Sequence, residues 1–378
     1  MLNIIRFYNS SNAVVGEFGS GTSINYDHYL QGSGDALTYI PPEGGNYIFS
    51  KNADGSYTNI NYPFLRGTKA YLNADGTRTL KFKDGSASTF DTNGRLVEQT
   101  DSNGNWVMIT RDSFGNITGL DDSYGRKYFI SNTTVQLGSS IYTLISSIMD
   151  MGGREVRYSY NSNAQLTSVT LPDGSTTNYS YDGTGRIASI TNARGITEVT
   201  NQYDGSGRVI GQTHAAGGVF NLAYNVVGGT VTQTAVTEPN GGTTTYRLNG
   251  AGYSSEITDA YGQKTTYTRA FSTNDLNSVT DPLGRTTTYT YDANGNTTSV
   301  TDPVGNVTRY EYDPVLNKPT KVTDALGNIT TLTYDAKGNL IQILSPKSEL
   351  TTIGYNTNGL PISLTDALGN ISTFEYDE

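Results

Sequence analysis

Gly284-Arg-Thr-Thr-Thr-Tyr-Thr-Tyr-Asp-Ala-Asn-Gly-Asn-Thr-Thr-Ser-Val-Thr-Asp302 holds, in nineteen residues, the unit from which most of this chain is built. Its first limb, Thr286 to Tyr291, is β-branched and aromatic throughout and reads as a strand. Asp292-Ala-Asn-Gly295 supplies an Asn-Gly turn, in which Gly takes a positive φ at little cost. Asn296 to Thr301 is the return strand. Asp302-Pro-Val-Gly305 then turns into the next hairpin, with Pro presetting φ. The alternation has period two: Tyr289 and Tyr291 share one face, Thr288 and Thr290 the other.

Outward from this stretch the unit recurs. Tyr-Asp pairs stand at Tyr181, Tyr203, Tyr291, Tyr312, Tyr334 and Tyr376, with degenerate members at Tyr160, Tyr224, Tyr246 and Tyr355. Steps are 21, 22, 21 and 22 from Tyr160 to Tyr246, and 21, 22, 21 and 21 from Tyr291 to Tyr376. A second landmark keeps the same step: Gly153, Gly174, Gly195, Gly262, Gly284, Gly305, Gly327 and Gly369 close short turns, most of them opened by Asp-x-x. Two landmarks in step define a repeat, which must be recognised before the fold is read. A stretched unit at Ala270 to Asn274 and a longer insertion between Gly125 and Gly153 interrupt it. Ile141 to Met151 is the one apolar stretch with a helical look, and its β-branched content argues for strand.

The predicted fold class is therefore all-β: consecutive antiparallel β-hairpins forming a long coiled sheet. Each hairpin adds about 9.6 Å of width, so the units from Gly153 onward would span on the order of 100 Å, and open sheets of that width curl. A curved, hollow wall fits, because hydrophobic residues make up only 35% of the 378 residues, too few for tight layers throughout. Tyr (28 residues) and the methyls of Thr and Val supply much of the apolar surface. A β-propeller, needing two units per blade, is the other architecture, but odd and even units do not alternate. Three regions follow: 1–49, a poorly matched segment suited to capping; 50–152, degenerate repeats; and 153–378, regular repeats ending in mid-array.

The net charge is −10, from 35 acids against 25 bases. No basic footprint suggests nucleic acid, and no apolar run approaches the roughly 20 residues of a membrane span. With no cysteine, disulfides and thiolate metal sites are ruled out. Met1 to Ser10 lacks the apolar core of a signal peptide, so export by another route, or a piece of a longer chain, is expected.

The unit, Tyr-Asp followed by Gly and later by Asp-x-x-Gly-Asn or Asp-x-x-Gly-Arg, resembles the YD repeat of RHS proteins. That family includes bacterial polymorphic toxins, shell subunits of insecticidal toxin complexes, wall-associated proteins and teneurins. The likeness is close over Gly153 to Glu378 and weaker over about Ser50 to Tyr128, where Phe90-Asp91 and Arg111-Asp112 stand for Tyr-Asp. It implies a spiralling, hollow shell of a secreted or cell-surface bacterial protein. The partner it implies is an encapsulated C-terminal toxin domain or a neighbouring shell or cap subunit. The family's autoproteolytic region is not matched: Asp281-Pro-Leu-Gly284 and Asp302-Pro-Val-Gly305 occupy ordinary turn slots. The alternative implied by the teneurin branch is an extracellular adhesion or carbohydrate-binding scaffold, with glycans as ligands.

No constellation of side chains points to catalysis, so no catalytic, cofactor-binding or metal-ligating residue is assigned and no enzyme is expected. His28 and His214 lie far apart and outside metal-binding spacings; both read as surface or turn residues. Asp182, Asp204, Asp292, Asp313 and Asp335 recur in one turn slot, as turn formers do, whereas a catalytic pair needs unequal surroundings. Calcium would need six to eight oxygen ligands converging, which these turns do not offer. Exposed Tyr stripes could stack on sugar rings, but cross-strand packing is the simpler reading.

Overall fold

A computed structural model of the protein describes residues 2–12 and 14–376. Among these residues there are 37 β-strands and a single 3-10 turn, Pro63–Leu65, so the protein is all-β as the repeat requires. Contacts divide it into two compact units: Met1–Tyr29, Ile40–Asn46 and Val107–Gln263 form the first, and Leu30–Tyr39, Tyr47–Trp106 and Lys264–Glu378 the second. In each, strands consecutive in sequence pair antiparallel. The first unit runs from Trp106–Arg111 with Ile117–Asp122 to Thr243–Leu248 with Ser254–Thr258. The second runs through Tyr47–Lys51, Tyr57–Thr58 and Lys69–Leu72, and again from Lys264–Arg269 with Leu276–Thr280 to Pro361–Thr365 with Ile371–Thr373.

The unit hairpin follows the predicted alternation. Thr286–Tyr291 pairs with Thr297–Thr301, placing Tyr289 opposite Val300 and Tyr291 opposite Thr297. A β-bulge falls between Thr290 and Tyr291 and recurs at the equivalent Tyr160, Tyr181, Tyr203, Tyr312, Tyr334 and Tyr355. The turn is not a two-residue Asn-Gly loop. Gly295 N–H donates to Asp292 O (3.1 Å), Asp292 N–H to Asn296 O (2.9 Å), and within the turn only Gly295 has a positive φ, 74°. Asp292 Oδ1 accepts the N–H groups of Asn294 and Asn296, both at 2.9 Å. This is a type I turn closed by a left-handed Gly and held by an Asx bond. The second turn, Asp302 to Gly305, repeats the pattern without a bulge.

The irregular units are absorbed locally. The insertion after Gly125 becomes two long strands, Lys127–Leu137 and Ser140–Asp150, which include most of the apolar stretch assigned to strand. The stretched turn at Ala270 carries one extra residue, with Asn274 at φ 57°, and Asp313 to Asn317 does the same. Two assignments shift. Tyr224 keeps its place facing Val209, but the bulge falls between Asn225 and Val226, and Asn225 stays in the ladder opposite Gln233 instead of opening a turn. Tyr246 is not a Tyr-Asp equivalent: the bulge falls between Arg247 and Leu248, and Asn249 opens the turn. The long hairpin Val219–Val227 with Thr230–Thr237 inserts extra residues that displace the landmark. The Tyr-Asp pair at Tyr376 includes Asp377, which lies outside the described residues.

Candidate functional site

The bulge at each Tyr-Asp slot gives the tyrosine its task. Where one strand carries an extra residue, a backbone carbonyl is left without its ladder partner. Tyr181 Oη–H donates to Leu166 O at 2.8 Å, and Leu166 is the residue paired with the previous landmark, Tyr160. The same latch joins Tyr160 to Ile145 O (2.6 Å), Tyr224 to Val209 O (2.7 Å), Tyr291 to Leu276 O (3.0 Å), Tyr312 to Thr297 O (2.8 Å) and Tyr355 to Leu340 O (3.0 Å). Each of these hairpins is thus bonded through a side chain to the one before it. Burial pushes the phenols up, to about 12 at Tyr203 and upward at Tyr181, Tyr312 and Tyr355. The residue directly opposite Tyr158, Tyr289 or Tyr310 is valine, so rings pack on β-branched side chains across the ladder. Where the slot holds arginine the bond turns inward: Arg111 donates to Gly115 O (3.0 Å) and Arg269 to Asn274 O (3.1 Å).

In the first unit the N-terminal segment lies on this tyrosine face. Phe18, with no exposed surface, meets the Tyr158 ring at 4.7 Å. The Arg6 guanidinium sits over three rings, Phe18 (5.6 Å), Tyr158 (5.5 Å) and Tyr179 (5.7 Å), and donates to Tyr179 Oη at 3.0 Å. The backbone joins in: Ser20 N–H donates to Ala164 O and Ile145 N–H to Glu17 O, both at 2.8 Å. Ile187 N–H donates to Tyr8 Oη at 2.9 Å, and Ser10 Oγ–H to Gly207 O at 2.9 Å. A cavity of about 380 Å³ remains between this segment and Tyr181, Ile187 and Tyr203. Glu17 faces Asp27, Tyr29 and Arg111; burial first, and then the Asp27 charge, push its carboxyl up to about 7.

In the second unit the early strands meet the Tyr-Asp turns of the late repeats. Arg66 pairs with Asp275, both nearly buried, and donates to the carbonyls of Asp292 (2.7 Å) and Ala293 (3.1 Å). Asn339 Nδ2–H donates to Asn103 Oδ1 (2.8 Å), and Asn105 Nδ2–H to Asn358 O (2.9 Å).

His214 stands in the turn slot usually held by Asp, its Nε2 3.0 Å from Gln212 Oε1 and its ring against Phe220. His28 Nε2 lies 2.9 Å from Asn25 O, and burial lowers its pKa. Asp182, Asp204, Asp292 and Asp335 each accept the N–H groups two and four residues on; Asp313 accepts those two and three on. Among the described residues no three His, Cys, Asp or Glu side chains gather as a metal site. Sequence reasoning missed Arg6, Tyr8 and Phe18, which belong to no repeat and act on partners more than 130 positions away.

A wall of latched hairpins covered in part by a non-repeat segment defines a β-repeat scaffold. The Teneurin YD-shell model matches residues 76–200, the RHS Repeat model matches 272–303, 291–315 and 316–349, and the model named Domain of unknown function (DUF6531) matches 1–49. The chain thus carries repeats of the YD/RHS kind over residues 76–200 and 272–349. No curated protein matches it. Among solved structures it is similar to TcdB2-TccC3 without its hypervariable C-terminal region, with TM-score 0.52 and 14% identity over 95% of this chain and 22% of that one. It also matches TcdB2-TccC3-TEV, with TM-score 0.47 and 14% identity over 94% of this chain and 22% of that one. At such identity the first likeness is one of fold, and this chain spans about a fifth of the length of that structure.

Proposed function

We propose that this chain is a non-catalytic segment of a YD/RHS shell that encloses or presents another polypeptide, such as a C-terminal toxin domain or a cap subunit, in a secreted or cell-surface bacterial protein. The latch carries the reading. A phenol-to-carbonyl bond repeated along successive hairpins within each unit ties them into a wall, and the recurring Asp residues are used up in turns. The N-terminal segment acts as a cap over the tyrosine face of residues 107–212. The fold likeness to a TcdB2-TccC3 structure supports the same reading.

Photo-crosslinking tests it. A benzophenone amino acid placed at Tyr334 or Tyr355, on the tyrosine face of the late repeats, is expected to crosslink to a second polypeptide segment in the producing cell. The same group at Thr333, on the other face, is expected not to. Equal labelling from both faces, or none from the tyrosine face, would overturn the reading.

A further inference from the structure

In a chain with net charge −10 there are ten lysines, and five of them line one cavity. Lys69, Lys81, Lys83, Lys318 and Lys337 surround about 470 Å³ in the second unit, where the turn after Arg78–Lys81 meets the late Tyr-Asp turns. The walls between them are partly apolar, from Phe82 and Leu316. Gly67 makes the close approach possible: a Cβ there would lie 3.0 Å from Lys83 Cβ and 3.1 Å from Asn294 O, at a φ of 78°.

The charges in this cavity are poorly balanced. Asp84 is its single acid, and its Oδ1 already accepts Ser86 N–H (2.9 Å) and Oγ–H (2.6 Å). Lys337 Nζ–H donates to the carbonyls of Asn103 (3.1 Å) and Thr357 (3.0 Å), and Lys69 reaches Asp54 only at 4.0 Å. Lys81, Lys83 and Lys318 have no ion-pair partner among the described residues. Five ammonium groups against Asp84 in the lining and Asp54 beside Lys69 leave three positive charges around one concave site. Like charges so placed repel, and a cleft of one sign focuses its field on a counter-ion. Lysines scattered for solubility would not converge this way when the acids that could neutralise them outnumber all bases 35 to 25.

We propose that this cavity binds a multiply charged oxyanion, a phosphate- or sulfate-bearing compound of small-molecule size. Ammonium groups act as point charges toward such oxygens, and a partly apolar wall suits a sugar or other ring that carries them. The proposal does not rest on the shell reading, because the cavity is complete within the second unit.

Calorimetric titration of the whole chain tests it, with inositol hexakisphosphate as the phosphate probe and a fully sulfated heparin disaccharide as the sulfate probe. Saturable binding of at least one probe is expected, weaker at 200 mM salt than at 50 mM. Lys83→Ala or Lys318→Ala should each weaken it on the order of tenfold, while Lys347→Ala, outside the cavity, should not. The probe that binds identifies the source. If a variant loses its β circular dichroism, Lys81→Ala, at an exposed position, replaces it. Absence of saturable binding, binding indifferent to all three cavity lysines, or binding of an oligoglutamate peptide in place of both probes would overturn the proposal.

Discussion

Leu166 and Leu340 occupy the same slot of the repeat. Each faces a landmark tyrosine across a bulge, and each carbonyl accepts the phenol of the next hairpin, Tyr181 at 2.8 Å and Tyr355 at 3.0 Å. Yet Leu166 is only 4% exposed, while Leu340 is half-buried. The difference comes from what lies on the tyrosine face: Phe18 and Arg6 over the hairpins near Leu166, and, among the described residues, no comparable aromatic contact at the late repeats. The second unit tells the same story. Its buried apolar side chains among the described residues, Leu37, Phe49, Leu80, Phe90 and Leu96 among them, all come from the early strands. A YD hairpin is half a structure: backbone ladder, turn and latch are its own, and the apolar cover comes from elsewhere in the chain.

Phe18→Ala should have the largest effect. It removes a fully buried ring from the covered hairpins and should cost about 3–5 kcal/mol. Chemical denaturation would register it as a loss confined to the first unit, with the repeats after Lys264 unaffected; loss across both units would break the comparison.

The latch itself sharpens it. Tyr181→Phe leaves Leu166 O, on a residue only 4% exposed, without its donor, and should cost about 1–2 kcal/mol. Tyr334→Phe, at a half-buried site where water can reach Pro319 O, should cost under about 0.5 kcal/mol. Similar costs in paired denaturation curves would show that cover does not matter to the latch.

Two pH effects should be smaller and run in opposite directions. Glu17, pushed up to about 7, takes up a proton on folding. Its stabilising contribution is full below the ordinary carboxylate range and is lost as pH rises through about 7. Thermal melts of the parent should therefore fall between about pH 4.5 and 7, and Glu17→Gln should flatten that slope; an unchanged slope would remove Glu17 from the account. At Asp182 burial opposes ionisation, but the N–H of Arg186, the hydroxyl and N–H of Thr184 and the Arg186 guanidinium outweigh it and hold the carboxyl at about 2. Side-chain bonds, from Asn306 first at Asp302 and from Asn328 first at Asp324, lower those carboxyls too. The stability these turns contribute is present above about pH 4 and is lost as pH falls toward 2. Because the turns recur in covered and uncovered hairpins alike, acid should loosen both; acid resistance in the late repeats alone would contradict this.

Strands and turns were legible in the sequence because they are local. Alternation, Asp at the turn start and Gly at its end decide a hairpin within about twenty residues. The two slipped landmarks, the turn expected after Tyr224 and Tyr246 for Leu248, followed from the long hairpin at Val219–Val227, since a landmark kept only by counting moves when residues are added. The latch was half legible: the spacing gave the tyrosines a common face, but the bulge that frees the carbonyl leaves no mark in residue type. The cap contacts and the lysine cavity were not legible. Arg6 finds Tyr179, and Lys83 finds Lys318, only after the wall has formed, and no period links them.

The claim on which the rest depends is that cover, not repeat sequence, separates the two kinds of hairpin. Hydroxyl-radical footprinting of the intact chain, read tyrosine by tyrosine by mass spectrometry, tests it most directly. The structure predicts slow modification of Tyr158, Tyr160 and Tyr181 and fast modification of Tyr334, Tyr355 and Tyr376. Equal rates in the two groups would contradict it.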